Sequence, residues 1–107
     1  MAFTFAGFTS TLTPPPVITP GKWQCAEYGL KLNTPDASDG RAEFWVDGVH
    51  HGSFDGFQWR TDPALRASTF SLDSYNHMNN GPIPEDKPNR VRYDNLVIST
   101  QPIGCLQ

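Results

Sequence analysis

Arg41-Ala-Glu-Phe-Trp-Val-Asp-Gly48 decides the fold class of this chain. Successive side chains of an extended strand point to opposite faces. Ala42, Phe44 and Val46 therefore share one face, and Glu43, Trp45 and Asp47 share the other. Asp47-Gly48 is a strong short-range hairpin signal, because the tight turns that match strand twist need positive φ. The apolar face builds a core. The face bearing Trp and carboxylates is either a solvated surface or a platform for a ligand.

Strand-like runs continue on both sides. Lys22 to Leu32 places Gln24, Ala26, Tyr28, Leu30 and Leu32 on one face, and Trp23, Cys25, Glu27, Gly29 and Lys31 on the other. Further strands are expected over Gly56–Arg60, Ala67–Tyr75 and Arg90–Ser99, with a long Asn-, Gly- and Pro-rich loop over Asn76–Asn89. No helical period of useful length occurs, and Pro63–Ala67 is the one place for a single helical turn. Several short strands spaced by turns predict an all-β fold, a small antiparallel β-sandwich. Residues 1–21 read as an N-terminal edge strand with a Pro-rich connector that cannot join a central strand, and residues 22–107 as the sandwich core.

The chain has 107 residues, a net charge of -3 and 18% charged residues. That length is one domain, near the lower limit for a self-sufficient sandwich. Scattered Lys and Arg in an acidic chain speak against a nucleic-acid partner. No apolar run reaches the ~18 residues of a membrane span. The N-terminal Met-Ala-Phe-Thr-Phe-Ala-Gly-Phe lacks a positive n-region and a long apolar h-region, so it is not read as a signal peptide. Cys25 and Cys105 belong to no CxxC pair, which removes zinc and thioredoxin-type readings. They are either two buried thiols or one disulfide. The disulfide is favoured because a small all-β domain needs a staple, and it implies an oxidising, extracellular setting.

Trp23-Gln-Cys-Ala-Glu27, Leu32-Asn-Thr-Pro35, Ser38-Asp-Gly40, Phe44-Trp-Val-Asp-Gly48, Tyr93-Asp-Asn-Leu-Val-Ile-Ser99 and Ile103-Gly-Cys105 follow one another in order. Over about residues 22–105 this resembles the C-terminal half of concanavalin A-like jelly rolls in secreted bacterial proteins related to polysaccharide lyases. The resemblance implies two stacked curved sheets, the concave one binding glycans. Such jelly rolls are about twice this size. The sandwich is therefore either minimal or completed by a partner chain, and a homo-oligomer is expected because unpaired edges invite pairing.

Polysaccharide binding on the concave face is the leading functional expectation, with Trp23, Glu27, Trp45 and His77 as contacts. Sugars stack C–H faces on indole and bond their hydroxyls to carboxylates, in concave sites with a few fixed polar groups. The competing reading makes both Trp residues structural. The alternative function is a polysaccharide lyase or glycoside hydrolase. For a hydrolase, Glu27 and Glu43 are the carboxylate pair, although the compact Glu-x-Asp-x-x-Glu pattern of related glucanases is missing. For a lyase, Tyr75 and His77 supply base and acid, with Tyr28, Lys31, Arg41 and Arg92 to neutralise a uronate. The net charge of -3 runs against an anionic polymer. A second alternative is a self-associating structural module. Adjacent His50 and His51 point to opposite faces and rarely share one ion. A structural Ca²⁺ is the cofactor candidate, with Asp94 as a ligand and Asp47 and Asp55 as others; a turn or cross-strand hydrogen bond is the stronger reading of Asp94.

Overall fold

A computed structural model describes residues 4–5, 8–9, 11, 19–72 and 90–105. The chain divides into two units, residues 1–66 with 99–107, and residues 67–98. The first holds every strand: β1 (Thr4–Phe5), β2 (Phe8–Thr9), β3 (Ala26–Lys31), β4 (Gly40–Val46) and β5 (Val49–Phe57). β1 and β2 pair as a small antiparallel ribbon, and β3-β4-β5 form an antiparallel three-stranded sheet. Among the described residues there is no helix, so the protein is a small all-β domain.

The hairpin turn falls where the sequence places it. Asp47 and Gly48 have φ of 50° and 80°, the two positive values that a type I′ turn requires. β4 alternates as expected. Ala42, Phe44 and Val46 are buried, Phe44 to 1% exposure, and they form the described hydrophobic core. Phe44 is flanked by stacked rings on both sides, Tyr28 at 6.5 Å and His51 at 5.9 Å between centroids.

β5 departs from strict alternation. Phe44 opposes Gly52 and Trp45 opposes His50, so His51 is an extra residue in the ladder. A second shift occurs where Gly40 opposes Phe57 and Arg41 opposes Asp55. The extra residue there is Gly56, with φ of 84°, a conformation available to glycine at little steric cost. One bulged strand thus replaces the separate strand expected over Gly56–Arg60.

The loop from β3 to β4 is built on polar side chains. Asn33 is fully buried. Its Oδ1 accepts from the Trp59 and Arg60 N–H groups at 2.8 and 3.1 Å. Its Nδ2 donates to the Thr34 and Arg60 carbonyls, both at 2.8 Å. All four of its hydrogen-bonding positions are therefore used. The Thr34 N–H and hydroxyl each donate to the Asp39 carboxylate at 2.6 Å, and these bonds hold that carboxyl below its ordinary range.

At the other end of the sheet, Cys25 and Cys105 form a disulfide across 80 residues. The Cys25 N–H donates to Asp47 Oδ1 at 2.9 Å, and the Asp47 N–H returns a bond to the Cys25 carbonyl at 2.8 Å. Gly104 N–H donates to Glu27 Oε2 at 2.6 Å. Turn, first long strand and C-terminal tail are thereby riveted at one corner.

Three expectations need correction. The first long strand begins at Ala26 rather than Lys22, after the disulfide-bonded Cys25. The described parts of the expected later strands, 67–72 and 90–99, carry no strand. A two-residue period says which face would be buried, but it supplies no partner for the backbone. The helical turn expected at Pro63–Ala67 is instead a turn capped by Asp62, which accepts from Ala64 N–H through its side chain and from Leu65 N–H through its carbonyl.

Serine at Cys25 and Cys105 should lower stability by roughly 4–5 kcal/mol, the chain-entropy expectation for a loop of this length; equal urea midpoints for oxidised wild type and the double variant would contradict it. Asn33→Ala should cost about 2–3 kcal/mol through the backbone N–H groups it leaves unpaired, read in the same titration.

Candidate functional site

Cross-strand register gathers the polar side chains of the sheet on one face. Glu27 opposes Trp45, Gly29 opposes Glu43 and Lys31 opposes Arg41. On the other flank of β4, Trp45 opposes His50, Glu43 opposes Ser53 and Arg41 opposes Asp55. His50 and Ser53 are three residues apart, an odd spacing that regular alternation would put on opposite faces. The bulge at His51 brings both to the Glu43 side and turns His51 into the core.

Trp45 sits at one end of this face. A Cβ on Gly29 would lie 3.2–3.3 Å from the edge of its six-membered ring, so the indole lies across the bare backbone of β3. The His50 ring approaches from β5, tilted, with centroids 5.2 Å apart. Only glycine at 29 leaves this space without moving the ring.

Glu43 is the centre of a polar network. Its Oε1 accepts the Ser53 hydroxyl at 2.7 Å and Arg41 NH2 at 2.9 Å, and lies 3.3 Å from His50 Nε2. Arg41 NH2 also donates to Ser53 Oγ at 2.9 Å, and its Nε faces Asp55 at 3.8 Å. The Ser53 hydrogen bond, helped by Arg41 and His50, holds the Glu43 carboxyl below its ordinary value against the effect of burial. Glu43 therefore stays ionised.

Ser, His and Glu in mutual contact raise the question of a nucleophile. In a working triad the imidazole bridges the other two, with serine on one ring nitrogen and the acid on the other. Here Ser53 Oγ and Glu43 Oε1 both approach the same nitrogen, His50 Nε2, at 3.2 and 3.3 Å. The serine donates to the carboxylate and accepts from Arg41, so no base takes its proton. The cluster is a hydrogen-bonded network in which the serine is not an activated hydroxyl.

Of the residues expected at the site, Glu27, Glu43 and Trp45 share this face. Glu27 is committed through one oxygen to Gly104 N–H. Trp23 is 65% exposed and precedes β3, outside the sheet's register. Tyr75 and His77 lie outside the described residues. Asp94 Oδ1 accepts from the adjacent Asn95 N–H at 2.8 Å, the local turn reading. Asp47 serves the hairpin and Asp55 pairs with Arg41. No three acidic, His or Cys side chains among the described residues are grouped to hold a metal ion. No described helix is long and apolar enough to cross a membrane.

Ser53 and the convergence of His50 on Glu43 escape a sequence reading, since nothing in the residues marks where β5 gains its extra position. The role of Gly29 is likewise invisible without the indole opposite it.

The depressed Glu43 value has a stability consequence with a definite sign. Its contribution is complete above the ordinary carboxyl value near 4.5 and fades as pH falls through the lower folded value. Wild type should therefore lose more stability between neutral and acid pH than Glu43→Gln, measured as urea midpoints at each pH; parallel profiles would remove the network from the ledger. Comparison of the chain with protein-family models, curated proteins and solved structures yields no match.

Proposed function

We propose that the protein is a secreted carbohydrate-binding module of the concanavalin A-like jelly-roll type, and that the polar face of its three-stranded sheet takes a polysaccharide. The observation that carries this reading is Trp45, half-buried over Gly29, next to a carboxylate whose position is fixed by Ser53, Arg41 and His50. A flat apolar surface beside preset polar groups is what a sugar ring with an apolar face and a hydroxyl rim requires. The disulfide is compatible with an extracellular location.

Binding is favoured over turnover by the state of the network. Glu43 is driven towards its ionised form, so it does not serve as the general acid that a hydrolase requires. A lyase or hydrolase is the outcome that product formation would establish.

The second layer of a sandwich and self-association belong to the same proposal. Tyr28 and Leu30 are 44% and 53% exposed on the face that buries Phe44. Large apolar side chains beside a core suit a covering layer, supplied here by a second copy.

The functional test is retention of the oxidised protein on a panel of insoluble and gel-immobilised polysaccharides, with assays for new reducing ends and for unsaturated products. Retention without product is expected. Trp45→Ala should weaken it at least about tenfold, about 1.4 kcal/mol, with an unchanged urea midpoint, and Trp45→Phe should weaken it less. Product formation, or undiminished retention of Trp45→Ala, would overturn the binding-module reading. For self-association, sedimentation velocity should show a dimer that Leu30→Lys dissociates; a monomeric wild type would remove the partner-completed sandwich.

A further inference from the structure

We infer that this face selects neutral, hydroxyl-rich glycans and rejects polyanionic ones such as polyuronates. The inference rests on the carbohydrate-binding reading above and adds the chemical class of the ligand.

The charges on the face come first. Glu27, Glu43 and Asp55 stand against Lys31 and Arg41, one acid more than the cations can balance. Their arrangement matters more than the sum. Glu27 lies directly across β3 from Trp45, and Glu43 two positions along β4 on the same side. Arg41 starts four residues from Trp45 along β4, roughly 13 Å at strand rise, and its guanidinium reaches back to Glu43 at 2.9 Å, where the ion pair offsets both charges. Among the described residues no ion pair reaches Glu27, directly across from Trp45. A sugar stacked on the indole therefore meets an uncompensated carboxylate first. A carboxylate on that sugar would face like charge at short range.

The availability of donors and acceptors points the same way. Arg41, the obvious carboxylate receptor, already spends NH2 on Glu43 and Ser53 and directs Nε at Asp55. A uronate could take a bidentate pair from it only by breaking those bonds. Glu43 is different. All three of its neighbours converge on Oε1, and among the described residues no hydrogen bond reaches Oε2. Bonded through one oxygen, Glu43 keeps the other as an acceptor, two positions along β4 from Trp45. Its complement is an O–H donor. A charged carboxylate or sulfate ester offers only acceptors.

The experiment uses the oxidised full chain in affinity electrophoresis through gels containing mixed-linkage β-glucan, galactomannan or xylan as neutral probes. Polygalacturonate and alginate are the anionic probes, and chitosan the cationic one, each at low and near-physiological salt. Retardation by at least one neutral polymer, insensitive to salt, is expected, with no retardation by the polyanions at the higher salt. Glu43→Gln keeps an acceptor but loses its charge, and should weaken neutral-glycan retardation about tenfold while leaving the polyanions excluded or less strongly excluded. Retardation by a polyuronate without any neutral polymer would overturn the selectivity and leave the carbohydrate-binding reading standing. So would stronger retardation by chitosan than by every neutral probe. Retardation by none of the polymers would overturn both. A folded Glu43→Gln that binds the neutral polymer as wild type does would overturn the role given to Glu43.

Discussion

His51 is the extra residue where the β4–β5 register shifts, and that single insertion sets the chemistry of both faces. With strict alternation from Val49 onward, His50 would share a face with Gly52 and Phe54, and His51 with Ser53. The bulge resets the phase. His51 goes inward against Phe44, and His50 and Ser53 come to the same side as Glu43. An apolar row and a hydrogen-bonded polar row are then compatible in one strand. A bulge at such a place costs one ladder position and re-aims the side chains on either side of it.

The described core is small. Ala42, Phe44 and Val46 are its buried apolar residues, and a domain of this size gains little from burial alone. The corner at Cys25 offsets this. The disulfide restricts the unfolded chain, and the reciprocal Cys25–Asp47 backbone and side-chain bonds tie the staple to the hairpin turn. Glu27 joins the same corner through Gly104. Register on the polar face is thus set close to a covalent anchor, since Glu27 is also the residue opposite Trp45.

What could be read in the sequence was local. Asp47-Gly48 named its own turn, the alternation of β4 named its buried face, and the pairing of Cys25 with Cys105 followed from the needs of a small all-β chain. The segments beyond residue 66 show the limit of the same reasoning. Alternating residues in 90–98 look like a strand, yet pairing depends on a partner that no local pattern encodes. The motifs behind the family resemblance have a related explanation. Asn33 closes a loop onto Arg60, Thr34 and Asp39 bond one another, and Asp47 closes the hairpin. Such residues recur wherever β-sheets turn tightly, so they speak for a fold class more than for an activity. At the site, Glu27, Glu43 and Trp45 were legible from the two-residue period. Ser53 and His50 were not, because their placement depends on the bulge.

The polar network holds Glu43 in one state. A group that transfers a proton must change state during each cycle, so its surroundings should hold it near balance. Ser53, Arg41 and His50 do the reverse to Glu43. They fix one oxygen, favour the charged form and leave little reason for it to take up a proton. Under the binding reading proposed above, the same fixing reduces what a ligand must reorganise, since the carboxylate is held in place before a hydroxyl arrives. Gly29 completes the arrangement by letting the indole lie against the backbone, where its rotamer freedom is limited in advance. An indole laid on bare backbone and a carboxylate fixed by three neighbours therefore share one face of the sheet.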